Sequence, residues 1–210
     1  EEYYNILRKK RVSLVIKRIA DIVLSLVLIL VLLLPMAIIA VVVKATSSGP
    51  IIFRQTRITT GAKEFKILKF RTMVNKQDKN SSQVTLSNDA RVTKCGAFLR
   101  KYRLDELPQL FNVLLGQMSF VGTRPEVPKY VRAYTPEMYA TLLMPAGITS
   151  LASITYKDES EFLKSGNADD DYINVLLPKK MELNLEYIKR FSVLSDIRIM
   201  IKTVTGVAFG

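Results

Sequence analysis

Residues 22–43 read IVLSLVLILVLLLPMAIIAVVV, and only Ser25 and Pro35 interrupt the aliphatic side chains. A straight helix rises about 1.5 Å per residue, enough here to cross a hydrocarbon core of about 30 Å. The run is too long and too deep in the chain for a secretory signal. Taken alone, it reads as one spanning helix. Two features point to another path. Pro35 lacks an N–H and should kink the helix. Both flanks are also basic: Arg8, Lys9, Lys10, Arg11, Lys17 and Arg18 precede the run, and Lys44, Arg54, Arg57, Lys63, Lys66, Lys69 and Arg71 follow it. Short flanks rich in Lys and Arg stay on the cytoplasmic side, so a single crossing would put one flank on the wrong side. A helix that enters, bends at Pro35 and returns keeps both inside. Its bent backbone then needs cover from protein, because lipid offers no hydrogen bonds.

The chain carries 31 Lys plus Arg against 19 Asp plus Glu, a formal charge of +12. That surplus suits an anionic partner: nucleic acid, an acidic lipid surface or a phosphorylated substrate. Nucleic acid accounts for the charge but not for the apolar run, and no pattern of stacking aromatics supports it. Cys95 is the only cysteine and there is no histidine. A disulfide within the chain is therefore excluded, and a zinc site lacks its usual ligands. A lone thiol fits a reducing, cytoplasmic setting. Any catalytic base has to be a carboxylate, Lys, Tyr or a bound water. The sequence starts at Glu1 rather than Met, which leaves an upstream segment open.

SSGP at 47–50 ends the apolar segment with loop chemistry. Residues 51–58 and 64–73 have strand composition, and TTGA at 59–62 between them predicts a β-hairpin. The polar stretch 75–89 reads as a surface loop. From Val92 the pattern turns helical, with Phe98, Leu99 and Tyr102 at helical spacing. PQLFNVLLGQM is a short apolar helix with Pro108 in its first turn. Residues 136–144, 178–191 and 193–208 are further helices. In the last, Arg198 and Lys202 share one face, a pattern that fits a helix lying in the membrane interface or a packed core helix equally. MPAGITSLASI (144–154) reads as a turn followed by a strand.

Within KYRLDELPQLF, residues 101–111, two acids stand side by side. Placed before Pro108, Asp105 or Glu106 falls at or near a helix N-cap. Capping free N–H groups would be worth about 1 kcal/mol and would need no further function. The same place also suits chemistry. A helix N-terminus favours phosphate, and Arg100 and Arg103 stand close by. A carboxylate beside them is expected to have a low pKa and to act as nucleophile or metal ligand. Gly122 and Pro125 bracket Arg124 in a stiff turn, where one guanidinium makes a phosphate fork or is simply a surface arginine.

FKILKFRTM, DARVTKCGAFLRKYRLDELPQLFNVLLGQMSFVGTRP and PAGIT resemble the bacterial sugar transferases, the monotopic polyprenol-phosphate phosphoglycosyl transferases. The resemblance covers nearly the whole chain. It implies transfer of a sugar-1-phosphate from a UDP-sugar to undecaprenyl phosphate, with release of UMP. This is the first step of a bacterial glycoconjugate pathway, run at the cytoplasmic face of the inner membrane. It further implies Asp105 as covalent nucleophile in a ping-pong scheme, Glu106 as its dyad partner, and Mg²⁺ held by Asp105, alone or with Glu106. Lys69, Arg71, Arg100, Arg124 and Tyr187 match the family's substrate- and phosphate-binding positions. Pro35 matches the break of a re-entrant helix–break–helix.

The sequence departs from the family pattern at four places. Thr123-Arg124-Pro125 stands for Pro-Arg-Pro, Gly147-Ile148-Thr149-Ser150-Leu151 lacks a tryptophan, Leu34-Pro35 stands for Ser-Pro, and Asn184 replaces an aspartate. These touch the donor sugar and the nucleotide pocket, not the reaction type. The expected fold is mainly α with a small β-hairpin (α+β). Residues 1–46 form a basic N-terminus with a re-entrant membrane helix, and 47–210 a compact cytoplasmic catalytic domain with amphipathic interfacial helices. The expected partners are a UDP-sugar, undecaprenyl phosphate and the bilayer, without nucleic acid; a homo-oligomer is left open. Two rival readings are a metal-dependent glycosyltransferase using the D-x-D of Asp169–Asp171 and a non-catalytic basic adaptor at the membrane surface.

Overall fold

The computed structural model describes residues 1–74, 89–157, 159–162 and 167–208, with the side chains of 160, 207 and 208 left aside. The segment 75–88, most of the stretch read as a polar loop, lies outside these residues. The chain is mainly helical. Helices α1 (Glu2–Lys9) and α2 (Arg11–Thr46) come first, followed by strands β1 (Ile52–Thr59) and β2 (Lys63–Phe70). Then come α3 (Lys94–Lys101), α4 (Gln109–Leu114), β3 (Met118–Val121) and α5 (Pro128–Val131). The chain ends with β4 (Ala146–Thr149), α6 (Leu151–Thr155), α7 (Ala168–Asp171), α8 (Leu177–Arg190) and α9 (Val193–Ala208).

The hairpin forms as its composition predicts: β1 and β2 pair antiparallel, with Phe53 opposite Lys69. A second, parallel pair joins β3 to β4. The sequence reading placed a stiff turn between Gly122 and Pro125, assigned no strand before it, and so missed β3. Within 144–154 it expected a turn followed by a strand. The strand occupies Ala146–Thr149, and Ser150 then caps a helix by accepting a hydrogen bond from the Ser153 amide. Residues 138–143 form a 3₁₀ helix within the segment read as helical.

Helix α2 continues through Pro35, where a break was expected. Proline removes one backbone donor and crowds the preceding turn, but the turns on either side keep their own bonds. Lys17, Asp21, Ser25, Ile29, Met36 and Val43 form its buried stripe. In the most apolar 18-residue window of α2 the mean hydropathy is 3.4, yet only 17% is buried. A core helix of a globular protein would be mostly covered. This one presents aliphatic side chains such as Ile19, Leu30 and Leu34 outward, which suits lipid.

Both ends of α2 are bonded to the same body. Near its start, Lys17 donates to the Val121 carbonyl at 2.8 Å, and Arg18 donates to the Val113 and Leu114 carbonyls at 2.7 and 2.9 Å. At its end, the Arg71 guanidinium donates to the Val43 and Ser47 carbonyls. Met36 and Val43 pack with Phe70 of β2 and Leu99 of α3. At the other end of the chain α9 is amphipathic: Asp196 and Ile199 are buried, while Leu194, Ile197, Ile201 and Val204 are exposed.

Candidate active site

The acid pair does not cap α4. Leu104–Glu106 form a separate 3₁₀ turn, Pro108 occupies the N-cap position, and α4 has no side-chain cap. Both acids are nonetheless buried, each 8% exposed. The chain enters this turn through Arg103, whose φ of 53° is left-handed. For a residue with a Cβ that conformation costs energy, and it persists only where the surroundings hold it. Here it stands between the end of α3 and the acid turn.

Two devices aim the site. Asn112 of α4, 1% exposed, accepts a hydrogen bond from the Leu68 amide at 3.0 Å and donates to the Lys66 carbonyl at 2.9 Å. These bonds fasten α4 beside β2, so Lys69 meets the acid turn. Gly122 and Gly147 let the ends of β3 and β4 touch: a Cβ on Gly122 would meet the Pro145 oxygen at 2.3 Å, and one on Gly147 would meet the Gly122 nitrogen at 2.2 Å. That close approach sets the start of the loop bearing Arg124.

Glu106 Oε1 receives Lys69 Nζ at 2.7 Å and Arg124 Nη2 at 3.1 Å, and Oε2 lies 3.9 Å from Arg103. Burial alone would raise the Glu106 pKa, but Lys69, Arg124 and Arg103 together outweigh it and hold the carboxyl far below the usual range. Burial lowers the Lys69 pKa against the pull of Glu106, whereas Glu106 raises that of Arg124. Asp105 has no hydrogen bond or ion pair among the described residues. Its pKa is raised, first by desolvation; Lys69 pulls it back, Glu106 adds to the rise, and Arg100 and Arg124 oppose it. This corrects the expectation of a low Asp105 pKa, because the nearby cations are already directed at Glu106 and burial prevails.

The structure thus brings together Asp105, Glu106, Lys69, Arg100 and Arg124. It adds Arg103, which the sequence reading noted as a neighbour but left out of the candidate site. Arg71 and Tyr187 are placed elsewhere. Arg71 is buried and donates to Pro50, Ser47 and Val43, so it ties the end of α2 to the hairpin. The Tyr187 hydroxyl donates to Asp196 at 2.6 Å in a separate polar cluster. The D-x-D acid Asp169 receives Lys129 at 2.6 Å and the Tyr130 hydroxyl at 2.5 Å.

No group of three or more metal-binding side chains occurs among the described residues. Mg²⁺ needs none, since it is commonly held by one or two carboxylates plus substrate phosphates. Asp105 fits that pattern, because its oxygens have no competing partner. Beside the dyad runs a largely apolar groove of about 460 Å³, whose lining includes Leu28 and Leu32 of α2, Leu110 of α4 and Val204 of α9, together with Arg103 and Glu106.

Residues 12–210 match the bacterial sugar transferase family. A UDP-glucose:undecaprenyl-phosphate glucose-1-phosphate transferase of Klebsiella pneumoniae is 39% identical over 197 residues, covering 92% of this chain and 40% of its own length. A UDP-N-acetylgalactosamine-undecaprenyl-phosphate N-acetylgalactosaminephosphotransferase of Aeromonas hydrophila is 36% identical, covering 93% of this chain and 44% of its own length. A further UDP-glucose:undecaprenyl-phosphate glucose-1-phosphate transferase, from Caulobacter vibrioides, is 35% identical, with coverage of 90% and 68%. The chain therefore spans less than half of the first two relatives, and the names of the three carry two different sugars.

Proposed function

The chain belongs to the bacterial sugar transferase family, and we propose that it moves a sugar-1-phosphate from a UDP-sugar to undecaprenyl phosphate at the cytoplasmic face of the bacterial inner membrane. The observation that carries the reading is the division of labour in the acid pair. Glu106 is saturated by three cations, while the adjacent Asp105 is buried and unclaimed. An Asp105 oxygen attacks the β-phosphorus of the UDP-sugar. The bond from that phosphorus to the bridging oxygen breaks, UMP leaves, and an aspartyl phosphosugar remains. A phosphate oxygen of undecaprenyl phosphate then attacks the same phosphorus and frees Asp105. Lys69, Arg100, Arg103 and Arg124 stabilise the charge that builds on the phosphoryl oxygens. Mg²⁺, held by Asp105 and the substrate phosphates, would supply further neutralisation of that charge.

Residues 1–46 serve as the membrane segment and 47–210 as the catalytic body. The bonds that tie both ends of α2 to one body support a helix that returns to the side it entered from, as do its two basic flanks. The test uses the full chain in phospholipid nanodiscs with Mg²⁺, undecaprenyl phosphate and a panel of UDP-sugars. UMP should form with at least one donor and only slightly with Asp105→Asn. No UMP with any donor, or equal UMP from the variant, would reject the reading.

A further inference from the structure

Between β3 and α5 the loop 122–127 has no repeating backbone structure, yet every residue in it is buried except Arg124. Its two ends are fastened by different elements. At the start, the Gly122 amide donates to the Thr149 carbonyl at 3.0 Å, and the Gly147 amide donates to the Thr123 carbonyl at 2.9 Å. At the far end β1 holds the backbone. Arg57 donates to the Pro125 carbonyl at 2.9 Å, and the Ile58 amide donates to the Glu126 carbonyl at 3.0 Å. Only Pro125 has its φ fixed by a ring, so the place of Arg124 depends on these attachments.

The far end has one attachment more. Glu126, two residues beyond Arg124 and 4% exposed, accepts the Tyr172 hydroxyl at 2.5 Å and lies 3.5 Å from the Lys180 ammonium. Lys180 of α8, 2% exposed, also donates to the Tyr172 hydroxyl at 2.7 Å and to Glu159 at 3.1 Å. Tyr172 begins a π-helical turn, Tyr172–Leu176, that leads into α8. Such turns are uncommon and occur often at functional sites. The Tyr172 ring stacks on Tyr130 of α5, with centroids 4.5 Å apart.

A brace that only joined α5 to α8 would not need charge, because well-packed apolar side chains in place of a buried ion pair are often neutral for stability or better. Glu126 also lies in the field of two arginines. Glu106 does most to raise the Arg124 pKa, and Glu159 and Glu126 add to the rise. Burial lowers the Arg57 pKa, while Glu126 pulls it up and Arg124 pushes it down. A carboxylate that attracts both guanidiniums lets them stand near each other, where they would otherwise repel.

We propose that Glu126, Tyr172 and Lys180 are positioning residues for Arg124: they clamp the far end of its loop, so that the guanidinium stays at Glu106 and faces the phosphoryl oxygens when substrate binds. They act through Arg124 rather than by touching the reacting atoms. The inference rests on the proposed function and adds a second layer to the site that reaches from the dyad to α8.

The experiment introduces Glu126→Ala into wild type and into Arg124→Ala, each as the full chain in phospholipid nanodiscs with Mg²⁺, undecaprenyl phosphate and the active UDP-sugar. Lys180 keeps Glu159 in this variant, so no cation is left buried without a partner. In wild type the substitution should lower UMP release about tenfold; in Arg124→Ala it should lower it less than about twofold further, because the residue it acts through is gone. Equal factors in the two backgrounds would overturn the proposal. Amide hydrogen exchange reads the same claim without activity. Peptides covering 122–127 should exchange faster in Glu126→Ala than in wild type, and those covering β1 and α4 should not. No change in the loop, or the same rise in β1 and α4, would overturn it. If Glu126→Ala does not fold, Tyr172→Phe keeps the ring on Tyr130 and removes only the hydroxyl; it carries both comparisons, with a loss of about threefold. If wild type releases no UMP with any donor, the proposed function fails, while hydrogen exchange still decides whether the network holds the loop.

Discussion

Lys17 and Lys69 each bring an ammonium to a buried carboxylate, at 2.5 Å from Asp196 and 2.7 Å from Glu106. Their surroundings differ. Around Lys17 the ion pair is knitted into a network of hydrogen bonds. The ammonium also donates to the Val121 carbonyl, the other Asp196 oxygen accepts the Tyr187 hydroxyl, and Asp21 accepts the Phe120 amide. Four elements, α2, β3, α8 and α9, meet there, joined by these bonds. Around Lys69, Glu106 is over-supplied with cations while the neighbouring Asp105 makes no ion pair among the described residues. A closed cluster serves as glue. An open one, with an unclaimed carboxylate and surplus positive charge, is arranged for a ligand that is absent until it binds.

The sharpest way to break this contrast is Asp105→Asn. It should cost at least about 10⁴-fold in UMP release while the thermal midpoint stays at or above that of wild type, since a buried carboxylate without a partner is removed. A falling midpoint would show that Asp105 is structural. In the closed cluster the pattern reverses. Lys17→Met leaves Asp196 buried without its ion pair and should cost about 3–5 kcal/mol of stability by thermal or denaturant unfolding, with activity lost only as the folded fraction falls. Arg124→Ala belongs to the open cluster. It should lower UMP release by about 10²–10³-fold and shift the midpoint little, because Lys69 and Arg103 still hold Glu106. Tyr187→Phe should cost about 1 kcal/mol of stability and leave KM for the donor unchanged. A large rise in KM would return Tyr187 to the substrate site.

The two acids also respond oppositely to pH. Asp105 has a raised folded pKa, so its contribution to stability is present below its ordinary 3.8 and is lost as pH rises through the folded value. Glu106 has a depressed one, so its contribution is present above 4.5 and fades as pH falls below that. Attack requires ionised Asp105, and UMP release should therefore decline on acidification through an apparent pKa above 3.8. The pH dependence of the midpoint in Asp105→Asn and Glu106→Gln should separate the two acids.

Much of this was legible in the sequence because it is local. The apolar run, the hairpin, the acid pair and the helices near 178–191 and 193–208 follow from spacing and turn residues. Arg71 and Tyr187 show the limit. A basic or phenolic side chain reads the same whether it meets a substrate, a helix end or Asp196, and only long-range packing decides. The pKa of Asp105 was misjudged for a related reason: sequence shows that Arg100 and Arg103 are near, not that Arg103 faces Glu106 or that the turn is buried. Asn112, which aims the dyad at Lys69, gave only a faint signal as one amide inside an apolar stretch. The course of α2 at Pro35 could not be read from residue type, since proline weakens a helix without always ending it.

The central claim is that Asp105 is the open carboxylate that takes the phosphosugar. The direct test is intact-protein and peptide mass spectrometry of wild type incubated with the active UDP-sugar and Mg²⁺ but no lipid acceptor. The account predicts about one UMP released per enzyme and the mass of one phosphosugar on the peptide containing Asp105, discharged when undecaprenyl phosphate is added. UMP that appears only when both substrates are present, with no adduct after rapid quenching, would contradict it and point to direct transfer between the two substrates.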